Sequence, residues 1–140
     1  MAIHLFEEDI NIKIKNKLAI KNWLKSTVEL EKKKLGELNY IFCSDEYLLE
    51  MNVSYLNHDT LTDIITFDNS ETEGLIVGDI FISIDRVQEN ATTFEVEFTD
   101  ELHRVMVHGA LHLLGYKDKK KAEKEKMREK ENYYLKKRKF

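Results

Sequence analysis

The spacing of apolar and polar residues divides the chain into nine short segments. Ile3 to Phe6 reads as a first strand. From about Lys17 to Lys34, Ile20, Trp23, Leu24 and Thr27 recur near one face at helical spacing, and Gly36 stands just beyond as a stop. Leu38 to Cys43 reads as a second strand. Ser44 is placed to cap the next helix, with Asp45 and Glu46 in its first turn, where the helix dipole favours acids. That helix carries Leu48, Leu49, Asn52 and Tyr55. Ile64 to Phe67 is a short strand, and Gly74 opens a run from Leu75 to Ile84 that is apolar on both faces, the pattern of a buried strand. Asp85 to about Thr93 is helical by pattern. Thr99 is expected to cap a helix from Asp100 to Leu114, and a charged helix follows from about Lys119 to Lys136.

The order β-α-β-α-β-β-α-α-α predicts a single α/β (α+β) domain over residues 1–140, with a mixed sheet of about four strands and about five helices packed on it. The short connection between 64–67 and 75–84 calls for at least one antiparallel pairing.

Within this frame, residues 108–118, His-Gly-Ala-Leu-His-Leu-Leu-Gly-Tyr-Lys-Asp, carry the chemistry. His108 and His112 are four apart in a helical run, so both imidazoles fall on one face, one turn apart. By helical rotation they lie at the edge of a stripe made by Leu102, Val105, Met106, Gly109, Ala110 and Leu113. Gly115 can end the helix in a left-handed conformation. The turn can then return Asp118 to the two histidines. Two imidazoles and a carboxylate are three ligands with a fourth position open, the layout of a catalytic zinc site. A bare pair at this spacing also fits two ordinary half-buried histidines. Zinc peptidases with the same histidine spacing place a Glu after the first histidine as general base. Here that position is Gly109, so the metal cage survives and the peptidase base does not. Gly109 costs the helix roughly 1 kcal/mol relative to Ala, a cost that close approach of another backbone would explain.

Charge is distributed unevenly. Residues 117–140 hold 12 Lys and Arg against 5 Asp and Glu, whereas residues 1–116 hold 10 against 21. The basic end is either a solvated helix or a footprint for phosphates. Lys117, Lys119, Lys120 and Lys121 are the candidate phosphate contacts because they adjoin Asp118. His58 is a candidate proton carrier, its ordinary pKa being near 6.5. Asp79, in an apolar strand, needs a partner and reads as structural. The first residues lack the basic and apolar regions of a signal peptide, and no run reaches the roughly 18 apolar residues of a membrane helix. Cys43 is the single cysteine. These features predict a cytoplasmic protein with no membrane contact and no disulfide partner.

The segment His-Gly-Ala-Leu-His-Leu-Leu-Gly-Tyr resembles the signature of the YbeY family of bacterial rRNA-maturation endoribonucleases. Asp59-Thr60-Leu61-Thr62-Asp63-Ile64-Ile65-Thr66-Phe67 is similar to the family's Asp-x-x-Thr-Asp-Val-Leu-Ser-Phe, and Gly78-Asp79-Ile80-Phe81-Ile82-Ser83 to its Gly-Asp-Ile-x-Ile-Ser. The resemblance implies a metal-dependent hydrolase with one divalent metal, zinc, that cuts single-stranded RNA. It further implies maturation of the 3′ end of small-subunit rRNA and ribosome quality control, with rRNA, the small ribosomal subunit and its proteins as partners. His108 and His112 carry over as metal ligands.

Two departures matter. The family motif usually ends Gly-Tyr-Asp-His, so Asp118 stands in place of a third histidine. A carboxylate lowers the site's formal charge by one, which makes a bound water less acidic than on three histidines, and two histidines with a carboxylate also suit iron. The family's usual Arg after the Tyr of the second helix is Leu56 here, leaving His58, Lys117 or Lys119 to replace it. The rival readings are a non-catalytic ribosome-biogenesis factor with a structural metal, and another zinc hydrolase such as a peptidase.

Overall fold

Four strands form one mixed sheet in the computed structural model, which describes residues 2–56 and 62–140. In chain order they are β1 (Ala2–Glu7), β2 (Lys34–Cys43), β3 (Ile64–Asp68) and β4 (Leu75–Ser83). Their order across the sheet is β1-β2-β4-β3. β1, β2 and β4 run parallel, and β3 pairs antiparallel with β4, Ile64 opposite Ile82 and Asp68 opposite Gly78. The helices are α1 (Lys17–Leu30), α2 (Asp45–Leu56), α3 (Ile84–Thr93), α4 (Phe98–Leu113) and α5 (Lys121–Leu135). This is the mixed-sheet α/β architecture predicted from the residue pattern, antiparallel pair included. His58 lies outside the described residues, as do 59–61 of the segment that ends at Phe67.

α1 ends earlier than its apolar pattern suggests. Lys32 takes a left-handed turn (φ 64°), and the Lys32 and Lys33 amides donate to the Glu29 and Val28 carbonyls. The stop is therefore a lysine, and Gly36 is already inside β2. A Cβ at Gly36 would come within 2.8 Å of Val77 Cγ2 and 3.0 Å of the Ile76 carbonyl, beside a register shift in the pairing with β4. The glycine serves a close strand-to-strand approach. Ser44 does cap α2, its hydroxyl accepting from the Tyr47 amide at 3.1 Å. Thr99, by contrast, does not cap α4. That helix starts one residue before it, at Phe98, with Glu97 as its N-cap residue. β4 is also less uniformly buried than predicted. Ile76, Gly78, Ile80 and Ile82 are buried, while Val77, Asp79 and Phe81 on the opposite face are half-buried. A smaller cluster of Cys43, Leu48 and Ile65 covers that second face.

α4 is the central element. It packs against β3 and β4 and is flanked by α1, α3 and α5. Val107 and Leu111 are buried as fully as the predicted stripe, because neighbouring helices close faces that a surface helix would leave open. Gly109 sits where α4 crosses the sheet. A Cβ there would approach Ile64 Cδ1 and Ile80 Cγ2 to 2.9 Å. The near neighbours are sheet side chains and not another backbone. Gly78 is the reciprocal gap, filled by Leu113, whose Cδ1 would lie 2.8 Å from a Cβ. Asp79 accepts from Asn39 Nδ2 (3.0 Å) and Asn69 Nδ2 (3.1 Å), so it ties β2 to the β3–β4 turn, the structural role expected of it.

Candidate metal centre

The last turn of α4 is built to fold the chain back on itself. Gly115 takes φ 107°, its amide donates to the His112 carbonyl and the Tyr116 amide donates to the Leu111 carbonyl, both at 3.0 Å. This paired closure reverses the chain direction and brings Asp118 over the histidine edge of α4. Asp118 Oδ2 lies 3.3 Å from His108 Nε2 and 3.3 Å from His112 Nε2. One ligand atom from each residue falls within 4.8 Å of the other two. All three side chains are half-buried, as the edge position on the stripe predicts.

Behind this triangle lies a carboxylate that sequence reading missed. Glu131 of α5 accepts from His108 Nδ1 at 2.6 Å and from the Arg104 guanidinium at 2.8 Å. An ionised carboxylate can only accept, so the Nδ1 of His108 carries the proton and its Nε2 is left to face Asp118. Burial by itself would raise the Glu131 carboxyl, but the bonds from His108 and Arg104 outweigh it and hold Glu131 below the usual range. His108 shows the complement. Burial opposes its charge, yet Glu131, Asp118 and Asp63 raise its pKa. His112 moves the other way, lowered by burial and by its proximity to His108.

This donor set fits a divalent cation. One proton cannot satisfy His108 Nε2, His112 Nε2 and the Asp118 carboxylate together, whereas a cation at their centre takes a lone pair from each. The orienting carboxylate behind a ligating histidine is the recurrent outer partner of such sites.

The triangle opens into a cleft of about 500 Å³. Its walls come from β3 (Thr62 and Asp63 at its entry, then Ile64), from α3 and its end (Asn90, Phe94), from α4 (Glu101, Arg104, Val105) and from α5 (Arg128, Glu131). Asp63 accepts from Asn90 Nδ2 at 3.4 Å, and burial raises its carboxyl above the usual carboxylate range. A separate apolar groove of about 340 Å³, between α1 and the C-terminal residues, has none of these groups in its lining. Lys117, Lys119, Lys120 and Lys121 are exposed beside Asp118 but do not line the cleft; the cations that do are Arg104 and Arg128.

The family model described as Endoribonuclease YbeY matches residues 3–139 of this chain. The chain belongs to the YbeY endoribonuclease family. Among its relatives, the Endoribonuclease YbeY of Cytophaga hutchinsonii is 56% identical over 139 residues, covering 99% of this chain and 97% of that one. That of Amoebophilus asiaticus is 49% identical over 133 residues, covering 95% and 90%. The solution structure of TM1509 from Thermotoga maritima superposes with a TM-score of 0.67 at 29% identity, covering 96% of this chain and 87% of that one. Membership agrees with the signature at 108–116. Glu131, Arg104 and Asp63 gave no local signal of their own. Asp63 lay inside a family-like segment, but only the folded chain shows that it faces the histidine cleft.

Proposed function

We propose that this chain is a single metal-dependent hydrolase domain, residues 1–140, that cuts single-stranded RNA. The observation that carries the reading is the convergence of His108 Nε2, His112 Nε2 and Asp118 Oδ2 at the floor of a cleft in a chain of this family. His108, His112 and Asp118 would hold one divalent ion, which we assign as zinc. When bound, the ion supplies positive charge that polarises a phosphate ester and offsets charge developing on its oxygens. Glu131 fixes the proton on His108 Nδ1, and Arg104 holds Glu131. Asp63, whose carboxyl burial raises above the usual carboxylate range, is assigned as the proton-exchanging acid of the cleft. His58 remains the sequence candidate for that role.

The exposed lysines 117 and 119–121 are assigned to long-range attraction of RNA. The 3′ end of small-subunit rRNA is the proposed target, with the small ribosomal subunit as partner and the cytoplasm as location. No helix among the described residues is long and apolar enough to cross a membrane.

The rivals fare less well. A structural zinc is closed by a fourth protein ligand, and the group among the described residues has three. A peptidase needs a base where Gly109 stands. The deciding experiment loads purified protein with one equivalent of zinc and offers labelled single-stranded and duplex RNA alongside a peptide. Cleavage of the single strand alone, lost in chelator and in His112→Ala, is the expected result. Failure of the protein to retain any divalent transition metal overturns the reading.

A further inference from the structure

The cleft has two features that metal binding does not use. α3 ends at Thr93, and Phe94 follows at the rim of the cleft, 59% exposed. A lone exposed apolar side chain is ordinary. Phe94 differs from the exposed Phe6 and Tyr133 because it lines the same cleft as His108, His112 and Asp118. Its backbone is fixed. The Phe94, Glu95 and Val96 amides donate to the Asn90, Thr92 and Ala91 carbonyls at 2.9, 3.3 and 3.0 Å, and Glu95 takes the left-handed conformation at φ 55°. The ring is thus presented on a rigid turn rather than a loose loop.

The second feature is the division of labour between the two guanidiniums. Arg104 is spent on Glu131 Oε1 (2.8 Å) and Asn132 Oδ1 (2.9 Å). Arg128 lies one turn before Glu131 on α5, its side chain is 59% exposed, and its ion pair with Glu131 is long, at 3.8 Å. Its planar donor fork is therefore available to a phosphate.

Resting on the ribonuclease reading, we propose that Phe94 and Arg128 form the subsite for a nucleotide flanking the scissile bond. Phe94 stacks the base and Arg128 holds the phosphate. A base offers its face to an aromatic ring only when it is out of a duplex, so this subsite selects single-stranded RNA.

The test uses zinc-loaded full-length protein and a single-stranded RNA bearing 2-aminopurine. Phe94→Leu should raise KM roughly five- to a hundredfold with kcat little changed, and should reduce 2-aminopurine quenching. Phe94→Trp should restore both, while Phe6→Leu, an aromatic away from the cleft, should alter neither. Arg128→Gln should flatten the salt dependence of binding by about 0.7 in log–log slope. On RNA with abasic nucleotides beside the scissile bond, wild type and Phe94→Leu should converge. A wild-type KM in Phe94→Leu, no rescue by Trp, or an equal loss on abasic RNA overturns the subsite while leaving the nuclease reading intact. If wild-type protein cleaves no single-stranded RNA, the nuclease reading falls first and takes the subsite with it.

Discussion

Two carboxylates of this protein, Glu31 and Asp118, have opposite surroundings. Glu31, just after α1, receives hydroxyl donors from Tyr116 (2.5 Å) and from Tyr134, and an ammonium from Lys130 (3.2 Å). Each partner brings hydrogens, so the cluster is complete in itself. Although burial disfavours its charge, those donors hold the Glu31 carboxyl below its ordinary range. Asp118 instead meets two imidazole nitrogens, both 3.3 Å from the same oxygen. With the Nδ1 proton of a neutral His108 committed to Glu131, this cluster has more lone pairs than hydrogens. A carboxylate ringed by donors is a clasp. One ringed by other acceptors suits a cation.

The sharpest way to break this contrast is to remove a ligand. His112→Ala should abolish stoichiometric zinc binding, measured by elemental analysis after dialysis. Glu31→Gln should leave zinc content at one per chain. Should zinc persist in His112→Ala, the Asp118 cluster is another clasp. Next in size is the outer partner. Glu131→Gln should weaken zinc affinity about 10- to 100-fold in chelator competition, because the His108 tautomer is no longer held and Arg104 loses its acceptor. An unchanged affinity would reduce Glu131 to a helix tie.

The clasp should respond in the other currency. Glu31→Leu leaves two tyrosine hydroxyls and Lys130 without their acceptor, and chemical denaturation should show a loss of about 1–3 kcal/mol. Equal stability would mean that water replaces Glu31 at no cost. The smallest effect concerns a third environment, again on α4. His103 packs edge-on to Trp23 and Phe140, and its Nδ1 accepts from Arg138 at 2.8 Å. Burial, helped by Arg138, lowers its pKa from 6.5 to about 4. The folded protein therefore refuses a proton that the unfolded chain accepts. This contribution to stability is full above about pH 6.5 and is lost as pH falls toward 4. His103→Gln should flatten the decline of Tm between pH 7 and 5 in metal-free protein. A parallel decline in both proteins would place the titration elsewhere.

What the residue order revealed follows from range. Sheet strands, helix spacing and the Gly115 turn are local, so the residue pattern locates them with boundary errors of a few residues. The largest, at the end of α1, arose because Lys32 took a left-handed conformation normally given to glycine, which freed Gly36 for a strand crossing. Thr99 looked like a cap because its side chain suited one, yet α4 began before it. In the site, His108, His112 and Asp118 lie within eleven residues, so spacing and turn chemistry sufficed to bring them together. Glu131, 23 residues beyond His108, depends on how α5 docks against α4. Asp63 and Phe94 depend on how β3 and α3 border the same cleft. No periodicity carries that information. The lysines beside Asp118 were conspicuous in sequence, but the chain turn sends them outward, and Arg104 and Arg128 enter instead.

The bond from His108 to Glu131 has a consequence for how the molecule holds its shape. It joins a candidate ligand on α4 to the body of α5. Any ion that prefers the oriented His108 must equally prefer the conformation in which α5 is seated, by the same free energy. Zinc would then act as a ligand for folding as well as for chemistry. Scarcity of the ion would loosen the α4–α5 hairpin, and loosening the hairpin would shed the ion.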